Sequence, residues 1–116
     1  MDIYHIWFNL KEGVRDTEFV RDVCAYLDHL KNQSGLAAYR ITRRKLGLGP
    51  PQLPEWNVIL EFENLTQLDE TFSRVASRAD PVESIHYAVN SKVKDTFFAL
   101  YRDFPDRGRV SGQEKF

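Results

Sequence analysis

A chain of 116 residues with 42% hydrophobic and 13% aromatic content is long enough for one core, and that content excludes a disordered polymer. Its 16 Lys and Arg against 17 Asp and Glu leave a formal charge of -1, so no global electrostatic pull points to nucleic acid or to an anionic membrane as partner. The lone cysteine, Cys24, excludes an intramolecular disulfide framework and falls on the apolar stripe of a predicted helix, where it reads as a small hydrophobe. No signal-like leader or membrane-spanning apolar run is read, and the expected setting is soluble and cytoplasmic.

The first predicted element is a strand over 3–10, and its alternation sends Tyr4, Ile6, Phe8 and Leu10 to one side and Ile3, His5, Trp7 and Asn9 to the other. The first set is the surface that helices should cover. A polar turn with Gly13 follows, and Asp16 is the expected N-cap of a helix to about 32. Phe19, Val23, Leu27 and Leu30 repeat at helical spacing along it, widened by Val20 and Cys24. Ser34-Gly35 should end the helix, with glycine in the left-handed conformation. A second strand is predicted over 36–46, with Ala37, Tyr39 and Ile41 on one side and Ala38, Arg40 and Thr42 on the other; Arg43-Arg44-Lys45 makes its far end basic, a weak anion patch.

The run Gly47 to Pro54 contains three prolines, which lack the ladder donor, and must be a loop. A third strand over 56–63 sets Trp56, Val58, Leu60 and Phe62 on an apolar side and Asn57, Ile59, Glu61 and Glu63 on the other. Thr66 to Asp69 reads as a capping box opening a second helix with Leu68, Phe72, Val75, Ala76 and Ala79 inward. Asp80-Pro81 repeats the start signal for a short third helix to about 91, with Val82, Ile85 and Val89 on its stripe and His86 among them. A fourth strand over 96–104 ends at Pro105, and the polar segment 105–116 is read as a tail outside the single domain 1–104.

The order strand, helix, strand, strand, helix, short helix, strand defines an α+β class: a ferredoxin-like βαββαβ sandwich with a four-stranded antiparallel sheet and both main helices on one face. No phosphate loop, nucleophile elbow, dinucleotide fingerprint or His/Cys metal cluster is present, so neither a cofactor nor a metal is implied.

Three segments carry a family likeness: Asn9-Leu10-Lys11-Glu12-Gly13 closing the first strand, Gly35-Leu36-Ala37-Ala38-Tyr39-Arg40-Ile41 after the first helix, and Phe62-Glu63-Asn64-Leu65-Thr66 leading into the second, with His86 before the last strand. On these the chain resembles the dimeric α+β barrel superfamily, of the antibiotic-biosynthesis monooxygenase, NIPSNAP and stress-responsive types. The resemblance implies a homodimer in which two uncovered sheet faces close on each other around a cavity. It also implies, for enzymes of the monooxygenase or haem-degrading type, an Asn on the first strand, a Trp in the second helix and a His or Arg near its end. Asn9 and His86 match two of these, while the second helix carries Phe72 and no tryptophan.

The residues themselves support the dimer, because the Ile3, Trp7 and Ile59 side would otherwise be an apolar patch in water. The candidate ligand-binding set is His5, Trp7, Asn9, Arg40, Asn57, Glu61 and His86, an imidazole, an amide and an acid within aromatic walls. Two functions follow. One is a binding protein holding a small, mostly apolar or aromatic molecule in the barrel. The other is a cofactor-independent monooxygenase-like or isomerase-like enzyme using His5, Asn9 and His86, in which histidine and carboxylate serve as an acid/base pair.

Overall fold

The computed structural model describes residues 1–77, 89–105 and 108–112. Alternating apolar residues build β1 (Asp2–Leu10), β2 (Ala38–Arg43), β3 (Trp56–Phe62) and β4 (Val93–Arg102), and helical stripes build α1 (Asp16–Asn32) and α2 (Leu65–Ala76). The strands form one sheet in the order β2-β3-β1-β4 with every neighbouring pair antiparallel. This is the expected ferredoxin-like α+β architecture.

The core lies on one side of that sheet. Phe8 of β1 and Trp56, Val58, Leu60 and Phe62 of β3 meet Phe19, Val23, Leu27 and Leu30 of α1 in a single buried cluster. Phe8, Phe19 and Trp56 pack mutually, with ring centroids 5.3 to 6.3 Å apart. Burying each such side chain contributes roughly 1.5 to 3 kcal/mol, which is why the even-numbered face of β1 turns to the helices. Phe72 of α2 meets Tyr4 at 5.1 Å and Phe62 at 6.1 Å, so α2 covers the same face as α1. The odd-numbered face carries no helix among the described residues.

Local details differ from the sequence expectations for identifiable reasons. Asp16 is the first residue of α1 rather than its cap: Arg15 occupies the cap without a side-chain bond, and the Asp16 carboxylate accepts from Thr17 N at 2.7 Å and from Arg43 Nη1 at 3.0 Å. At the other end of α1 the left-handed residue is Ser34, at φ 58°, not Gly35. Glycine is required next to it by proximity, since a Cβ on Gly35 would stand 2.8 Å from the Leu30 carbonyl oxygen and 3.1 Å from Thr71 Oγ1.

The capping box of α2 sits two residues earlier than expected: Asn64 Oδ1 accepts from Gln67 N at 2.9 Å, and Gln67 Oε1 accepts from Glu63 N at 2.7 Å. The fully enclosed residue of α2 is Thr71, whose hydroxyl donates to the Gly35 carbonyl, while Phe72 is only partly covered. Strand β2 is shorter than expected because Leu36 turns into the core and Arg44 turns into the following loop. Strand β4 starts earlier, at Val93, through a bulge against Trp7 and Asn9 where Asp95 takes φ 55°. The expected third helix, with Val82, Ile85 and His86, falls mostly outside the described residues, as does Ala79 of the expected second helix; Val89 and Asn90 are helical.

Candidate functional site

The space between sheet and helices is not filled. A cavity of about 440 Å³ opens there, floored by Tyr4, Ile6 and Phe8 of β1, Val58 and Leu60 of β3 and Phe98 of β4. Its roof is the apolar stripe of α1, from Phe19 to Leu30 and including Tyr26, together with Thr71, Phe72, Val75 and Ala76 of α2. Val89, Asn90, Val93 and Thr96 close one end. Aromatic rings from both layers border this gap. Tyr4 stands between Phe72, edge-on at 5.1 Å, and Phe98, stacked at 5.9 Å.

Two links hold the walls. Tyr39 Oη donates to Asp28 Oδ1 at 2.7 Å, tying β2 to α1. Lys92 Nζ pairs with the Asp22 carboxylate, tying the start of β4 to α1, and Lys11 N donates to the Lys92 carbonyl at 2.9 Å. Burial, reinforced by the hydrogen bond to Asp28, raises the Tyr39 phenol above its ordinary range.

The lining is electrically neutral among the described residues. Burial pushes the Tyr26 phenol up to about 12 and raises that of Tyr4, so both stay protonated. A charged ligand would lose its hydration against such walls without a compensating partner, whereas a neutral one would lose little. Chemically the cavity offers apolar contact, ring stacking and a few neutral hydrogen-bonding groups.

The residues expected to bind a ligand are distributed differently. His5, Trp7, Asn57 and Glu61 do share a face: Trp7 lies opposite Asn57, Ile3 opposite Glu61 and His5 opposite Ile59. It is the helix-free face, on the far side of the sheet from the cavity. There the His5 ring stacks on Trp7 at 5.1 Å and 11° and meets the edge of Tyr101 at 5.1 Å, with Nδ1 buried and without a hydrogen-bond partner. Asn57 Nδ2 donates to the Ile6 carbonyl at 3.4 Å. Arg40, on β2 opposite Ile59, is exposed.

Asn9 is set apart from this group by the bulge. Its Oδ1 accepts from Glu55 N at 2.9 Å and its Nδ2 donates to Asp95 Oδ2 at 3.2 Å, which locks the end of β1 to the start of β3 and to β4. It lines a separate polar opening with Arg43, whose guanidinium bonds Glu55 and Asp16 and lies 5.0 Å over the Trp56 ring. Glu55, the stronger partner, holds the Arg43 guanidinium above its ordinary range. His86 lies outside the described residues. None of the other six residues lines the apolar cavity between sheet and helices. What the sequence reading passed over were the rings facing the helices, Tyr4, Tyr26, Phe72 and Phe98, which it treated as core or left unassigned. Their bulk on facing layers was the available signal.

Fold and cavity together define a ferredoxin-like α+β protein with an apolar chamber under its helices. The family model described as a family of unknown function, DUF6614, matches residues 1–116, and the chain belongs to that family. No curated protein matches the sequence. Among solved structures, SnoaB, a cofactor-independent oxygenase from Streptomyces nogalater, shares the fold at a TM-score of 0.66 and 9% identity, over 90% of this chain and 97% of that one. An antibiotic biosynthesis monooxygenase superposes at 0.64 with 13% identity, over 90% and 100%. A dimeric ferredoxin-like protein of unknown function from Jannaschia sp. CCS1 does so at 0.62 with 13% identity, over 89% and 100%. The expected likeness to monooxygenase-type ferredoxin-like proteins is therefore found in the fold. Among the described residues no helix is long and apolar enough to cross a membrane.

Proposed function

We propose that this protein binds a small, neutral, mostly apolar molecule in the chamber between sheet and helices, and that it does so as a homodimer whose copies cover each other's helix-free faces. The observation that carries the reading is the chamber itself, about 440 Å³ with a lining that among the described residues is neutral and predominantly apolar; that volume falls within the roughly 300 to 1,000 Å³ of ordinary small-molecule sites. Support for the dimer comes from Phe97 and Tyr101, which stand 52% and 57% exposed beside Trp7 and His5 on the helix-free face. So broad an aromatic surface is costly in water. The solved structure of a dimeric protein with the same fold points the same way.

The enzymatic alternative has the fold of a cofactor-independent oxygenase behind it. Its expected residues give it less: His5 is across the sheet from the chamber, and both ends of the Asn9 amide are engaged by Glu55 and Asp95. Binding without chemistry is the better-supported function.

A neutral fluorophore such as Nile red tests the reading. Wild type should enhance its emission saturably, and Ala76→Trp, which places a large ring in the chamber from the exposed side of α2, should abolish the enhancement while leaving thermal stability unchanged. Equal enhancement by both proteins would overturn the assignment.

A further inference from the structure

The loop between β2 and β3 presents a second, independent surface. Leu46 and Leu48 are 83% and 76% exposed at its tip, far above what isolated core-type residues need to be. They are not left out by slack chain. The Arg44 side chain turns into the loop and its guanidinium donates to the carbonyls of Pro50 and Leu53. Gly49 makes room for it, since a Cβ there would stand 2.7 Å from Arg44 Nε. Turns from Leu48 N to the Lys45 carbonyl at 3.1 Å and from Leu53 N to the Pro50 carbonyl at 3.1 Å complete the frame, with Leu46 and Gly47 both at positive φ. The loop is thus built to hold two leucines in water, which is unfavourable unless something receives them.

Charge indicates what receives them. Residues 44–54 include Arg44 and Lys45 and no acid, within a chain of formal charge -1. The leucines stand on a projecting tip rather than in a groove, so the complementary surface is broad, negative on its outside and apolar just beneath. We propose that this loop docks the protein on an anionic lipid surface, with Leu46 and Leu48 entering between headgroups, Lys45 at the phosphate level and the loop-bound Arg44 adding its positive charge behind it. Peripheral docking of this kind takes two weak signals together, apolar insertion and local positive charge, and requires no spanning segment. Overall charge near neutrality does not oppose it, because the attraction acts within a Debye length of the loop.

Co-sedimentation of the full chain with phosphatidylcholine vesicles, with and without phosphatidylserine, tests this. Binding should require phosphatidylserine and weaken as salt is raised. Leu46→Ser with Leu48→Ser should lower partitioning by about tenfold or more, and Lys45→Glu by about fivefold or more; circular dichroism should show both variants folded, since these side chains touch no core residue. Failure of the wild type to bind phosphatidylserine vesicles overturns the proposal, as does binding that the leucine pair does not alter. If the wild type ignores vesicles while the leucine variant changes the mass seen by light scattering, the loop serves a protein contact instead and the lipid assignment is wrong.

Discussion

The two faces of β1 have similar apolar weight and opposite fates. Tyr4, Ile6 and Phe8 look into the helix layer, where the described lining is neutral and space is left over. Ile3, His5 and Trp7 look away from it, among Asn57, Glu61, Phe97 and Tyr101, where titratable groups gather on an open sheet. His5 and Glu61 are thereby separated from the apolar chamber by the thickness of one sheet. A group capable of chemistry marks a ligand site only when it borders the space a ligand can fill.

The largest effect that would sharpen this contrast is in the helix layer. Phe19 is fully buried against Phe8 and Trp56, and Phe19→Ala should cost about 3 to 5 kcal/mol in urea unfolding. On the other face, Phe97→Asp should leave the single chain folded yet convert a dimer into a species near 13.6 kDa by light scattering; an unchanged dimer would break the assignment of that face to a second copy. Thr71→Val removes the donor to the buried Gly35 carbonyl and should cost about 1 to 3 kcal/mol, read by thermal melting.

The smallest effect concerns alkali. The Tyr26 phenol is raised from 10.0 to about 12 by burial, so the stability linked to its neutral form is complete below pH 10 and is lost as pH rises toward about 12. Ultraviolet titration should show a late-ionising group of tyrosines that includes Tyr26 together with Tyr4 and Tyr39, and Tyr26→Phe should lower the amplitude of that late phase by one phenol.

Most of the fold was legible because it rests on periodicity. The stripe Phe19, Val23, Leu27, Leu30 and the alternation in β1 and β3 each have one burial solution. The cap of α2 was misplaced by two residues because Asn64 and Thr66 are both competent caps, and the reach of Gln67 decides between them. The shared face of His5, Trp7, Asn57 and Glu61 was legible from alternation as well. The chamber was not, since an unfilled volume depends on how far helices stand off a sheet, and rings such as Tyr4 and Phe72 serve equally to fill a core and to prop one open.

Methyl-resolved NMR of the protein titrated with a neutral aromatic probe tests the central claim most directly, because each face carries its own isoleucine reporters. Ile6, with Val23, Leu27 and Val75, lines the chamber, whereas Ile3 and Ile59 stand on the helix-free face. The account predicts saturable shifts at the Ile6, Val23, Leu27 and Val75 methyls, with Ile3 and Ile59 unmoved. Shifts confined to Ile3 and Ile59 would contradict it and return the site to the face of His5 and Trp7.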